Sequence, residues 1–439
     1  MSAGPLDQPV KCRAELSDEE LLKSCKPHHR HAVALALQDL HGVRKESIIR
    51  LSPSYEDFIC SKLLCDARDL SILYVFAEVT LWLCFSITMQ VIYLPKTFYS
   101  SRVAAGLILH FIGTWIGFGE RFILAMHYAS HRSLFSARLG IAAKVLNNFP
   151  QLVLSNFFGM PCGAYHLHHC IMHHQANNFF PYDLSATTPY QRDSPLGFLH
   201  YLTNFMLHTI LYLPFYAAKK RRFAVALGSV CCTLVYLTVC QTLFSAHPVV
   251  FFVSLGLSSA MGPALLMFGN FGQHMFIDKA KPDSNYSLTI NLIAAPFNMT
   301  TFNDGYHIVH HLNSVLHWSE MPLHFIRNLD RYEEEGALVF RGLNYMEMGA
   351  LVMSGQLEKL ASYVVQLRPQ PLSKPQLVQL LRERLEPVPK ACEGLSASHK
   401  SIFGLNQLLW FLLWMAGFQV AAAPAFMVPI FAALSFAMS

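Results

Sequence analysis

The sequence predicts an all-α integral membrane protein. Four transmembrane helices pair as two hairpins beneath a cytosolic, histidine-rich helical cap, and the chain ends in a C-terminal hydrophobic helix or hairpin. Three observations lead there. Hydrophobic residues make up 53% of the chain and charged residues only 14%, against roughly a quarter charged in a soluble domain. The segments 70–94, 103–126, 223–245 and 248–270 are apolar throughout, and a bilayer is crossed by about twenty such residues in a helix. Finally, the histidines beyond the N-terminal region gather at the ends of those segments instead of scattering along the chain.

Residues 1–65 form a mixed, polar N-terminal cytosolic region. Its first residues lack the apolar run of a secretory signal, and their acidic character argues against a transit peptide. Ser17 and Glu20 fit a capping box for a helix over ELLKSCK. His28, His29 and His31 read as a solvated basic patch.

Residues 66–325 form the membrane catalytic region, and its first hairpin joins 70–94 to 103–126 through PKTFYSSR. Two further apolar stretches are less clean. The stretch 139–160 contains Lys144, Asn147 and Asn148, and 196–217 contains His200, Asn204 and His208. The run Lys219-Lys220-Arg221-Arg222 decides their placement, because positive residues favour the cytosolic face. If 196–217 crossed the membrane, the histidine clusters would alternate sides. With both stretches lying along the interface as amphipathic helices, every cluster faces the cytosol. The second hairpin then joins 223–245 to 248–270 at Ala246-His247-Pro248.

Residues 326–405 return to polar composition, with EEE at 333–335 and the proline-rich RPQPLSKPQ. Residues 406–439 are an uncharged hydrophobic segment broken by Pro424 and Pro429, compatible with a fifth span, a re-entrant hairpin or an interfacial anchor.

Composition also excludes. The net charge of +5 is modest and no basic stripe carries interleaved aromatics, so nucleic acid is not a partner. The eleven cysteines form no CxxC pair and no framework spacing, which predicts free thiols in a reducing compartment.

Chemistry resides in the histidines. HYASH places His127 and His131 four apart at the end of the second span, on one helix face. HCIMHH supplies His169, His173 and His174, with His166 and His168 as further candidates. HIVHH supplies His307, His310 and His311, and NFGQH adds Asn270 and His274 at the end of the fourth span. Polar side chains at a bilayer are costly and usually functional. Nine imidazoles exceed the three or four protein ligands of one zinc and suit two ions. Imidazole ligation fits zinc, copper, iron or nickel. A membrane-facing site points to a lipid chain, whose hard step is C–H cleavage, and oxygen chemistry at iron performs it.

HYASH, HCIMHH and HIVHH resemble the three histidine boxes of the membrane fatty acid desaturase superfamily, over roughly residues 70–325. The resemblance implies that His127, His131, His169, His173, His174, His274, His307, His310 and His311 ligate two irons, with Asn270 acting through water. It also implies four spans under a cytosolic cap. No His-Pro-Gly-Gly of a fused cytochrome is present, since His247-Pro248 is followed by Val249-Val250. Electrons are therefore expected from a separate donor, such as a b-type cytochrome or ferredoxin.

Asp304, three residues before His307, is expected to orient a ligand imidazole from behind. Asp183 and Glu120 are weaker candidates for the same task, Trp318 is expected at the interface, and Glu78 is expected to face protein or water. The function these features predict is O2-dependent desaturation of a fatty acyl chain, carried by a CoA thioester or a lipid. The alternatives are a lipid hydroxylase with the same boxes, a zinc-dependent lipid hydrolase, and a histidine-rich metal transporter. The absent transit signature favours the endoplasmic reticulum membrane.

Overall fold

A computed structural model describes residues 17–42 and 47–389. The C-terminal hydrophobic segment 406–439, with Cys12 and Cys392, lies outside the described residues. Among the described residues, four helices are long and apolar enough to cross a membrane: Ala67–Tyr93, Ser101–His131, Phe223–Ala246 and Pro248–Gln273. The chain is thus an all-α, multi-pass membrane protein, and the spans among its described residues are the four that hydropathy marks out. Large apolar side chains such as Leu81, Phe85, Leu227 and Leu234 point outward from them, as a lipid-facing surface requires.

The second span continues past its expected end, to His131. Midway it loosens into a π-helical stretch, Ile112–Gly119. Gly113 there lets Trp82 of the first span lie against bare backbone, since a Cβ would sit 1.9 Å from Trp82 Cζ2. Glu78 of the first span is buried within protein, as expected. It accepts from the backbone amides of Ile48 and Ile49 and lies 3.5 Å from Arg121.

The two less clean stretches behave differently from each other. The helix Ile141–Leu152 leaves Ile141, Val145 and Leu146 exposed along one side, the pattern of an interfacial helix. Pro195–Lys219 is instead a single helix held deep in protein. Tyr201, Leu202, Phe205, Leu213 and Tyr216 are buried, and among its described side chains only Pro195, Leu196, Phe215 and Lys219 are exposed. A lone amphipathic face does not describe it, because its residues pack beneath the second histidine box: Phe205 meets His168 edge-on at 5.0 Å.

Over the histidine end of the bundle lie short helices and a two-stranded parallel sheet, Asn291–Ile293 with Val339–Arg341. The helices Tyr345–Met353 and Lys374–Leu385 follow. Leu377, Leu381 and Leu385 of the latter share one apolar core with Leu167, Met172, Phe271 and Met275, so the late chain packs directly against the segments that carry histidines. The nine described cysteines are free, in line with the expected thiols.

Candidate metal centre

Each box reaches the site by a different local geometry. His127 and His131 sit one turn apart at the end of the second span, with ring centroids 5.5 Å apart. The second box is a π-helix, Leu167–His173, in which the His174 amide donates to His169 O. The wider turn brings residues five apart into line, and His169 Nε2 lies 3.1 Å from His174 Nε2. His173 turns the other way. The α-helix His307–Leu312 likewise splits its box. His310 Nε2 lies 2.8 Å from His127 Nε2 and 2.9 Å from His174 Nε2, while His307 and His311 face the opposite side.

Two sets result. In one, His127, His131, His169, His174 and His310 bring one donor each to within 4.8 Å of one another; in the other, His173, His274, His307 and His311 do so. The nine histidines singled out from sequence are the nine in these sets. The second and third boxes serve both sets, a division that no single helix face supplies.

Hydrogen bonds behind the second set fix which nitrogen faces inward. His274 Nδ1 donates to Leu288 O at 3.0 Å, His311 Nδ1 to Asn177 Oδ1 at 3.1 Å, and His173 Nδ1 to Asp183 Oδ2 at 2.7 Å. A neutral imidazole that donates from Nδ1 presents a bare lone pair at Nε2. The Nε2 atoms of His274 and His311 and both ring nitrogens of His307 are buried with no hydrogen-bond partner. In the first set, His131 Nε2 and His310 Nδ1 are equally orphaned, and the Nε2 atoms of His127, His310, His174 and His169 approach one another at 2.8 to 3.1 Å. Metal–nitrogen bonds of about 2.1 Å place ligand nitrogens roughly 3.0–3.4 Å apart. The donors present therefore fit metal ions.

Electrostatics agree. Burial, reinforced by neighbouring imidazoles, holds His169, His174, His307, His310 and His311 well below the usual histidine range. Burial likewise pushes His274 down to about 3. Imidazoles kept neutral have their lone pairs available. Burial opposes ionisation of Asp183, yet His173 and Ser185 outweigh it and hold the carboxyl well below the usual carboxylate range.

The remaining candidates divide. His168 is buried against Phe205 and His166 is exposed, and neither joins a set. Asn270 uses its amide nitrogen on Ser185 O at 3.1 Å and Tyr201 OH at 2.8 Å, leaving Oδ1 to face elsewhere. Asp304 lies behind a histidine of the first box instead of its own, with Oδ1 3.9 Å from His127 Nδ1, and burial pushes its carboxyl up to about 7. Glu120 is exposed on the second span. Trp318 is not at an interface: it is 5% exposed and packs edge-on against Phe302 at 5.5 Å. His28 and His29 both approach Glu333 Oε2 at 3.2 Å, but the Lys26 ammonium already holds that oxygen at 2.8 Å.

Sequence reasoning missed Asn177 and Ser185. Asn177 and Asn178 both take left-handed backbone, φ 53° and 56°, which asparagine tolerates better than most residues. The pair of asparagines directly after the second box is the signal that was available.

Several apolar spans topped by three histidine boxes define a class, that of multi-pass membrane proteins with a histidine-rich cap able to hold metal. Residues 100–342, more than half of the chain, match the family described as fatty acid desaturase, and the chain belongs to that family. The family implies an oxidoreductase enzyme. No curated protein and no solved structure matches the chain.

Proposed function

We propose that the protein is a membrane-bound, O2-dependent desaturase acting on a fatty acyl chain at a di-iron centre. One iron would be held within His127, His131, His169, His174 and His310, the other within His173, His274, His307 and His311, with Asn270 contributing through water. The observation that carries this reading is the division of nine buried or half-buried histidines into two adjoining, all-imidazole sets. Bound iron would supply the O2 activation needed to break an unactivated C–H bond. In desaturation the acyl chain gives up two hydrogen atoms, and O2 leaves as two waters with two further electrons from a separate donor, such as a b-type cytochrome or ferredoxin, and two protons from solvent.

The chain's own residues supply position. Asp183, Leu288 O and Asn177 hold three imidazoles in the ligating tautomer. The buried members of both sets, His127, His169, His310, His173, His274 and His307, limit the access of bulk water, which protects reactive species from side reactions. The acyl chain, on a CoA thioester or a lipid, would enter from the bilayer with one C–C bond held beside the metals. The KKRR run places the histidine end toward the cytosol by the positive-inside rule, and the endoplasmic reticulum is the favoured membrane. Hydroxylation by the same boxes is the alternative outcome. A zinc hydrolase is disfavoured because neither set contains a carboxylate to act as base.

The test is the metal content of the purified protein beside His173→Ala and His310→Ala, one variant for each set. Two irons per chain, reduced in both variants, would justify screening lipids for new double bonds or hydroxyls. One zinc untouched by His310→Ala would overturn the reading.

A further inference from the structure

Arg192 is fully buried, and it is not itself a member of either histidine set. Its Nε donates to Met275 O at 2.7 Å. Its Nη1 donates to Thr187 O at 3.1 Å, Thr188 O at 3.3 Å and Tyr190 O at 3.2 Å. Its Nη2 donates to Arg384 O at 3.0 Å and Glu386 O at 2.5 Å. One guanidinium thus ties three segments that are far apart in sequence.

Two of those segments lead directly to metal-site residues. Met275 follows His274. Thr187 donates from its hydroxyl to His274 O at 2.6 Å, and it lies two residues past Ser185, whose amide and hydroxyl hold Asp183 behind His173 at 2.8 Å each. The third segment is the C-terminus of the helix Lys374–Leu385. The last carbonyls of a helix lack intrahelical partners and carry partial negative charge, so a buried cation is well placed there. Backbone bonds complete the knot: Arg192 N to Leu385 O at 3.0 Å, Ile277 N to Arg384 O at 2.9 Å, and Val388 N to Thr188 O at 2.8 Å.

We propose that Arg192 is a positioning residue for one of the two histidine sets, that of His173, His274, His307 and His311, and that the helix Lys374–Leu385 is part of what holds that set. This helix lies beyond residues 100–342 that match the family, so the chain completes its metal centre with a segment the family match does not include. The knot is asymmetric. It reaches His274 through Met275 and Thr187, and His173 through Asp183, both of one set, and it approaches the other set only through His174, the chain neighbour of His173. A residue that merely stabilised the fold would weaken both sets together.

The inference rests on the two-metal reading above, and the experiment separates the two. Metal stoichiometry and stepwise affinity are measured for the full-length protein, then for Arg192→Gln and Arg192→Lys, with thermal melting to report the fold. Arg192→Gln is expected to weaken one metal step by roughly 10–100-fold, the scale of lost outer-shell support, and to leave the other step within about twofold. Arg192→Lys, with the charge but fewer donors, should recover part of the loss. Equal weakening of both steps, or of neither, overturns the inference. Fewer than two metals on the unaltered protein overturns the two-metal reading itself, and this one with it.

Hydrogen exchange on the unaltered protein gives a second measure that needs no variant. Coupling is reciprocal, so removing metal with a chelator should speed exchange at the amides of Arg192, Ile277 and Val388. Val365, whose amide bonds to Val339 O at 2.8 Å, should change far less. Unchanged protection at the three knot amides would count against the proposal as decisively as the variants.

Discussion

His173 Nδ1 lies 2.7 Å from Asp183 Oδ2, and both side chains are buried. Asp183 in turn accepts through Oδ1 from the Ser185 amide and hydroxyl, each at 2.8 Å. The carboxylate therefore holds the His173 ring by its outer nitrogen and leaves Nε2 to face His274 and His311, whose ring centroids lie 5.0 and 5.3 Å away.

We predict that Asp183→Asn weakens metal binding about 10–100-fold, the usual cost of losing an outer carboxylate from a ligand histidine. Asparagine keeps the volume but removes the charge that favours the donating tautomer. Chelator competition on the purified protein measures this. An affinity unchanged from the original protein would remove Asp183 from the site.

Metal should also stabilise the fold. The two sets leave His131, His274, His307 and His311 Nε2 buried with no hydrogen-bond partner, and a bound cation would satisfy them. A ligand that binds only the folded state adds about 4 kcal/mol at a thousandfold excess over its Kd. We predict a clear rise in melting temperature on anaerobic addition of Fe(II), reversed by chelator. Identical melts with and without metal would argue against a preformed site.

The spans and the histidines were legible because both depend on composition and short-range spacing. Apolar runs of the required length, the HxxxH of His127 and His131, and the charge of Lys219–Arg222 are local signals. The partition of the boxes was not legible. It depends on the π-helical turn at Leu167–His173, which shifts the pairing from residues four apart to residues five apart, and α-helical periodicity gives no warning of that. The helix Pro195–Lys219 was misjudged for a related reason: its polar residues are buried by partners distant in sequence. Asp304 was expected to orient a ligand imidazole; sequence could not say which, and the fold brings its Oδ1 to 3.9 Å from His127 Nδ1.

Asp39 shows how the early chain supports the third box. Its buried carboxylate accepts from Ala294 N at 2.7 Å, Asn298 Nδ2 at 3.1 Å and Tyr306 OH at 2.8 Å. Tyr306 directly precedes His307. We predict that Asp39→Ala destabilises the protein by about 3 kcal/mol, because several buried donors lose their acceptor and each costs roughly 1–3 kcal/mol unmade. Thermal melting in detergent checks this, and Tyr306→Phe, which removes one donor, should cost less. A melt unchanged by Asp39→Ala would show that these donors find other partners.

Two glycines in the spans make a controlled pair. At Gly262 a Cβ would sit 2.3 Å from Phe158 O and 2.8 Å from Gly159 Cα, where the fourth span and the 3₁₀ turn Leu154–Phe158 pass backbone to backbone. At Gly228 in the third span a Cβ would meet nothing within 4 Å. Helix propensity favours alanine over glycine by about 1 kcal/mol at either place, so only packing separates them. We predict that Gly262→Ala destabilises by at least the roughly 1–3 kcal/mol typical of overpacking, since the clash is with backbone and no rotamer relieves it. Gly228→Ala should be neutral or slightly stabilising. Parallel melts of the two variants decide it. Equal shifts would mean that the close approach at Gly159 and Gly262 does not constrain the bundle, and the seating of the fourth span, which ends at Gln273 beside His274, would need another cause.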